Sequence, residues 1–314
     1  MAAAFAAAGC RDAPVPPGEV TPEVSAILSH LPGDAWAVIG INAARARAVP
    51  ALSRLLEWLP PAPLAAEIVD GCGLDARRRI DLAVATLGRA ASPEAVFVGA
   101  TGTFSRDSVA TCLADLARTG QPIATAQEGA VTAYGARGDK GHIYWPTAEV
   151  AVMSPRAQGA AAALGEIANQ GGVMRNEALM SYVSRARTNS ALWMAGPLPP
   201  AMQERLAGFG PGVPALRGFF MSADGDESGA VRVLLGLRVA GEKQAKAAAE
   251  AFRSQRAALA AQLPGDARAA AIAKRIEVAR SGSDVVLQVT LTAPEVDMLV
   301  QLIAGLTRPT PPEP

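Results

Sequence analysis

The sequence predicts an α+β protein in which hairpins of antiparallel or mixed sheet alternate with helices that lie on the sheet. Short apolar runs with strand character come in pairs separated by turn residues, and amphipathic stretches of helical length lie between the pairs. The order strand, helix, hairpin, helix, hairpin, helix occurs twice, which predicts two similar halves. With 314 residues, half of them hydrophobic, the chain can bury a large core.

The first predicted α+β repeat covers residues 26–172. It opens with an apolar strand at 35–41 that contains Trp36. Its best-defined helix runs from Arg106 to Arg118, because Ser105 is a suitable N-cap. The other predicted helices are at 43–58, 62–71 and 155–169, and the other predicted strands are at 81–87, 95–100, 130–136, 141–145 and 148–153.

The second predicted repeat covers residues 173–306. Its first strand, 190–195, contains Trp193 at a place similar to that of Trp36, and we expect both tryptophans to anchor the core. The last helix presents apolar residues at helical spacing on one face. Helices are predicted at 176–187, 198–208, 241–261 and 293–306, and further strands at 216–223, 230–238, 275–280 and 284–291.

Both ends of the chain differ in composition from these repeats. Residues 10–25 are rich in proline and predict a tether, because proline stretches form neither a helix nor a central strand. Residues 307–314 contain too little apolar surface to order themselves and predict a disordered tail. The apolar residues 1–9 predict a shortened signal peptide, because no basic residue starts them.

Cys10 follows the small residues Ala7, Ala8 and Gly9, and a polar, proline-rich stretch comes next. This pattern resembles the lipobox of bacterial lipoproteins, in which a signal peptidase cuts before a cysteine that then receives lipid. The resemblance implies export and a lipid anchor at Cys10. The missing basic start suggests a start codon placed too far downstream, and the alternative is a chance cysteine in an alanine-rich N-terminus. Arg11 after the cysteine, by the lipoprotein sorting pattern, implies the periplasmic face of the outer membrane.

A second resemblance covers most of the chain but is less specific. An early Leu-Pro-x-Asp-Ala segment (31–35) and a later Cys-Gly-x-Asp segment (72–75) resemble secreted and lipoprotein families of myxobacterial type. The resemblance implies an exported protein and no particular activity.

The other two cysteines, Cys72 and Cys112, are a candidate disulfide in an oxidising compartment. The alternative is two buried free thiols, since free cysteine is among the most buried residue types. A metal site is not expected, because the thiols lack C-x-x-C spacing and the two histidines, His30 and His142, are far apart in the sequence. No cofactor motif is present, because neither a P-loop nor a strand-borne dinucleotide turn occurs.

Composition and motifs also limit the classes of function. Positive and negative charges balance at 29 each and aromatic residues are scarce, which argues against nucleic-acid binding. No G-x-S-x-G elbow is present, and a catalytic triad could use only His30 or His142. We therefore expect a non-catalytic, lipid-anchored cell-envelope protein that acts in binding or assembly with a protein partner. The alternatives are a periplasmic carrier of a hydrophobic ligand, with a cavity lined by Val38, Val98 and Leu235, and a hydrolase with an unfamiliar site.

Overall fold

A single antiparallel sheet of twelve strands runs through the part of the chain that the structure, a computed structural model, describes. The described residues are 18–53, 72, 76–88, 96–120, 123–128, 131–136, 142–154, 171–207, 215–262 and 267–298. Each of the eleven strand pairings is antiparallel, which confirms the α+β class and the antiparallel form of the sheet. Hairpins with short connections favour this pairing.

The strands lie in the order β11-β12-β10-β9-β8-β1-β2-β3-β7-β6-β5-β4 across the sheet. Their bounds are β1 Ala37–Asn42, β2 Ile80–Leu87, β3 Val96–Gly102, β4 Ile123–Glu128, β5 Val131–Ala136, β6 His142–Tyr144, β7 Ala151–Ser154, β8 Leu192–Pro197, β9 Gly218–Gly225, β10 Val231–Arg238, β11 Glu277–Ser281 and β12 Asp284–Leu291.

The described helices connect these strands along the chain. Their bounds are α1 Pro22–Leu28, α2 Ala43–Ala48, α3 Ala76–Arg79, α4 Arg106–Arg118, α5 Glu177–Val183, α6 Pro200–Ala207, α7 Glu242–Gln262 and α8 Ala267–Arg275, with a 3₁₀ turn at Val173–Arg175. A further helix begins at residue 293 and is described as far as 298.

The two predicted halves meet at the centre of the sheet, where their first strands, β1 and β8, pair with each other. In each half the sheet then grows outward through a two-stranded pair, β2–β3 or β9–β10, and next through the last strand of that half. Beyond this last strand the halves differ, since the first adds three more strands and the second adds one. The shared connection order does not establish an internal duplication, which stays a prediction.

One face of the sheet, here called the front face, lies under α1 and α5. It carries Val38, Trp193 and Phe220, which pack with helix residues such as Ile27 and Leu179 in one core cluster. Three buried rings on this face lie over glycines of the neighbouring strand: Trp193 over Gly40, Phe220 over Gly236, and His142 over Gly135. A glycine opposite a large ring leaves the space that the ring occupies, so each of these three rings packs directly on the neighbouring strand.

The other face, here called the back face, is covered by helices at both sides of the sheet. α4 packs over β4 to β7 through Val109 and Leu113. α7 packs over β9 to β12 through small alanines, and α2 and the helix that begins at residue 293 cover the ends of the same strands. Alanine on the contact side of α7 allows the helix to approach the sheet closely.

The predicted tether is too long at its C-terminal end, because α1 begins at Pro22 and Val24 is fully buried. The Thr21 hydroxyl accepts the Val24 N–H at 3.4 Å, and Pro22 occupies a first-turn position that it tolerates well. The Thr21 N–H also donates to the Thr188 hydroxyl at 3.0 Å. These bonds fix residues 18–25 to the fold.

Three other differences concern weak local signals. The predicted helix 43–58 is interrupted at Val49, because Pro50 cannot continue a helix from the preceding turn. The sequence does not predict β4, because Ile123–Glu128 contains only one large apolar residue. It does not predict α8 either, because Ala267–Arg275 consists mostly of alanine and charged residues.

Some predicted segments lie outside the described residues. They are the helices 62–71 and 155–169, the segments 1–17 and 299–314, and Cys10.

Candidate functional site

A disulfide joins Cys72 to Cys112, the pair that the sequence predicts. The Cα atoms are 5.7 Å apart, which is the usual separation for a bridge. Cys112 lies on α4, and Cys72 packs against the cluster formed by α4 and the sheet. The bridge therefore ties the segment before β2 to the helix after β3, across a sequence separation of 40 residues.

The two histidines that a catalytic triad could use lie on separate elements. His30 follows α1 and is half-buried, and this burial lowers its pKa below the ordinary value. His142 is buried on β6 with its imidazole over Gly135. His142 thus packs on the front face of the sheet, and His30 lies at the partly buried end of α1.

The tryptophan prediction is confirmed for one ring and wrong for the other. Trp193 is fully buried in the front core, whereas Trp36 lies just before β1 and is half-buried. The paired position of Trp193 in β1 is Gly40, not a tryptophan.

Seven apolar residues form a continuous line across the middle of the back face, here called the apolar row. Strand register places them side by side, one from each of seven neighbouring strands, and each is only half-buried. At the usual strand spacing the row spans about 29 Å. Its members, in order across the sheet, are Leu235, Met221, Met194, Ile39, Ala85, Val98 and Met153.

The cavity residues predicted from the sequence do not share a face. Val98 and Leu235 belong to the apolar row, but Val38 lies on the front face and is fully buried under α1. Adjacent strand residues point to opposite faces, so Val38 cannot line the same surface as Ile39. The row itself gives the two remaining residues a common surface.

A polar cleft of about 310 Å³ opens on the front face near the ends of β9, β10 and β12. Its floor contains Ser222 and Leu234, which are paired across the strands and are both buried. One wall is the turn after α5, with Arg187, Asn189 and Ser190. No local sequence signal marks this cleft, because its residues come from the 187–190 turn and three strands that only the fold brings together.

The two carboxylates of the cleft accept hydrogen bonds from nearby residues, whereas its two guanidinium groups donate none in the described ranges. The Asp224 carboxylate accepts from Arg45 at 2.6 Å. The Asp226 carboxylate accepts from the Ser228 hydroxyl and N–H and from the Ala230 N–H. These hydrogen bonds, led by the Ser228 hydroxyl, and the nearby charge of Arg232 lower the pKa of Asp226. The Arg187 and Arg232 guanidinium groups form no hydrogen bond or salt bridge with another residue in the described ranges.

A second charged group lies at the other end of the same strands. Asp284 is buried and accepts from Arg185 and, at 3.0 Å, from Arg238, whose guanidinium also stacks on the Tyr182 ring. Burial raises the pKa of Asp284, and the bond and charge of Arg238 oppose that rise. Because its carboxylate is held by two arginines, this cluster has a structural role in joining α5 to β10 and β12.

Among the described residues no group of three or more potential metal ligands comes together. Within the same ranges, no helix combines the length and apolar character that crossing a bilayer requires.

Comparisons with known proteins give a likeness of fold. No family model and no curated protein matches the sequence. Crystal form I of the protein TP0453 is similar, with a TM-score of 0.51 and 11% identity over 88% of this chain and 97% of that one. Crystal form III of the same protein has a TM-score of 0.48 and 11% identity, over 87% and 96%. The first of these likenesses supports the α+β fold over the part of the chain that it covers. The low identity carries no statement about activity.

Proposed function

We propose that this chain is a non-catalytic, lipid-anchored protein of the bacterial cell envelope, attached through Cys10 to the periplasmic face of the outer membrane. The observation that carries the proposal is the pairing of Cys72 with Cys112. Disulfides persist in exported proteins and are rare in the cytosol. Of the three cysteines, the bridge leaves only Cys10, the one that follows the lipobox-like residues.

The proposed anchor is consistent with the distance between Cys10 and the fold. The first described residue is Gly18, and the chain is held to the body at Glu19 and Thr21 by Thr188. Eight residues separate Cys10 from Glu19, and an extended chain of that length reaches about 26–29 Å. A lipid at Cys10 would therefore keep the folded body close to the membrane surface, where it can bind or assemble with an envelope partner.

The test is cell fractionation of the protein expressed from its own locus, so that any upstream codons are translated too. We expect the wild-type protein in the membrane fraction and Cys10→Ala in the soluble fraction. Cys112→Ala is the matched control, because it removes a cysteine without removing the proposed anchor. Intact mass without reductant should show cleavage before Cys10, added acyl chains and the loss of two hydrogens. Membrane retention of Cys10→Ala, or a wild-type protein without acyl chains, would contradict the proposal.

A second candidate function, carriage of a hydrophobic ligand in the periplasm, is favoured by the apolar row. Half-buried apolar residues in a continuous line offer a surface that an alkyl chain can cover. The test measures the binding of a fluorescent fatty acid to the full chain. Met194→Glu should weaken binding, whereas Met202→Glu, at an exposed methionine on α6, should not. Equal binding by both variants would argue against carriage on this face.

A further inference from the structure

We infer that the polar cleft on the front face is a binding site for a phosphate-type anion, held by Arg187, Arg232 and Ser222. The site is independent of the proposed anchor, which lies outside the described residues. Three features carry the inference: two arginines whose guanidinium groups form no hydrogen bond in the described ranges, hydroxyls at the base of the cleft, and neighbouring carboxylates that already have donors of their own.

The first feature is the position of the two arginines, Arg187 and Arg232, which reach the cleft from different elements. Arg232 points to the front face from β10, between Asp224 on β9 and Thr290 on β12. Arg187 reaches the same cleft from the turn after α5. A guanidinium group presents several donors in a fixed fork that matches phosphate oxygens. Two such groups that approach one cleft from different elements can bind one anion from two sides.

The second feature is the floor of the cleft. Ser190 and Ser222 are 2% and 4% exposed, and neither hydroxyl has a hydrogen-bond partner in the described part of the chain. Both hydroxyls can be reached from the cleft, so each can donate to a ligand held there. Phosphate offers more acceptor oxygens than a carboxylate, so it can use both hydroxyls in addition to the arginines.

The third feature is the arrangement of the carboxylates, which would otherwise repel an anion. Asp224 is neutralised by Arg45, and Asp226 is directed into its own turn by three donors. In the lining of the cleft, Arg187 and Arg232 balance Asp224 and Asp226. Because Arg45 pairs with Asp224 from beside the cleft, the lining with this pair included does not repel an anion. The same chemistry occurs in free inorganic phosphate and in the headgroup of an anionic lipid.

The experiment is calorimetric titration of the full, unacylated chain with inorganic phosphate at low ionic strength. We expect saturable binding of one phosphate per chain. Arg187→Gln and Arg232→Gln should each weaken it at least about tenfold, as expected for a lost hydrogen bond to a charged group. Ser222→Ala should weaken it by a smaller factor. Arg106→Gln is the matched control, because Arg106 is an exposed arginine on α4, which packs over the opposite end of the sheet.

Two further titrations identify the source of the anion. Tighter binding of dihexanoyl phosphatidic acid, kept below its micelle concentration, than of inorganic phosphate indicates a lipid headgroup. Equal or weaker binding of that lipid indicates free phosphate, and either result supports the site. The inference is overturned if the wild-type chain does not bind phosphate, if both arginine variants bind it as the wild type does, or if acetate binds as tightly. Circular dichroism spectra of all variants control for folding.

Discussion

Trp193 and Met194 are adjacent in β8, yet they lie in two different environments. The Trp193 ring is fully buried over Gly40 in the front core, whereas Met194 is half-buried in the apolar row of the back face. The alternation of a strand places them on opposite faces, so the difference comes from the two layers that cover the sheet. Under α1 and α5 the front face is packed with rings that lie over glycines, and the polar cleft opens only near the ends of β9, β10 and β12. The back face has its described helices at the sides and an apolar line between them.

We expect the front face to contribute most of the stability. On the back face, we expect side chains of the apolar row to be replaced at a smaller cost in stability. Rings that lie over glycines leave no room for adjustment, and any change there must be absorbed by a packed core. Residues of the apolar row have fewer neighbours to disturb. Substitutions at neighbouring positions of one strand, one on each face, can therefore separate the contribution to stability from the contribution to function.

The largest expected effect is the difference between Trp193→Ala and Met194→Ala. Loss of the buried indole should lower the free energy of unfolding by about 3–5 kcal/mol, because it leaves a cavity in the front core. Loss of the half-buried methionine side chain should cost about 1 kcal/mol. Urea denaturation of both variants measures the two values. Similar losses at the two positions would mean that the back face is packed as tightly as the front.

A smaller effect is expected when a methyl group is added instead of removed. A Cβ at Gly40 would overlap the Trp193 indole, so Gly40→Ala should cost about 1–3 kcal/mol. Ala85→Val, which adds two methyl groups to the apolar row, should change the stability by less than about 0.5 kcal/mol. The measurement is again urea denaturation. A neutral Gly40→Ala would show that the Trp193 ring can move aside, and would contradict the tight packing of the front core.

Parts of this contrast could be predicted from the sequence. Local sequence patterns predict β2, α4, β10 and β12 to within one residue at each end. Apolar runs, an N-cap serine and short turns mark the bounds of these elements. The disulfide pair was also predictable, since only two cysteines remain once Cys10 is set aside. These features depend on residues that are close in sequence or on simple counting.

The rest depends on register, which the sequence does not reveal. Ile39 and Met194 become neighbours only because β1 pairs with β8, and these strands are more than 150 residues apart. The cleft likewise needs Arg187, Ser222 and Thr290 from three separate elements. Such pairings between distant strands are set by the packing of the whole sheet, and the local signals that mark Arg187 and Thr290 are those of an ordinary turn and strand.

The smallest expected effect concerns Glu295, in the helix that begins at residue 293 and packs Val296 against the back face. The Glu295 carboxylate accepts from Arg275 and, at 2.8 Å, from the Thr292 N–H, and these bonds, led by that from Arg275, lower its pKa. A lowered pKa in the folded state stabilises the fold above the ordinary value of 4.5, and this contribution is lost as the pH falls through the folded-state pKa.

Glu295→Gln should therefore lower the free energy of unfolding by about 0.5–1 kcal/mol at pH 7, and the deficit should shrink as the pH falls below about 4. Glu250→Gln removes the same charge from an exposed position of α7 and should have little effect at either pH. Urea denaturation at several pH values measures both variants. Because the bond anchors a helix at the side of the back face, a deficit that persists at low pH would mean that side-chain packing, not charge, holds this helix on the sheet.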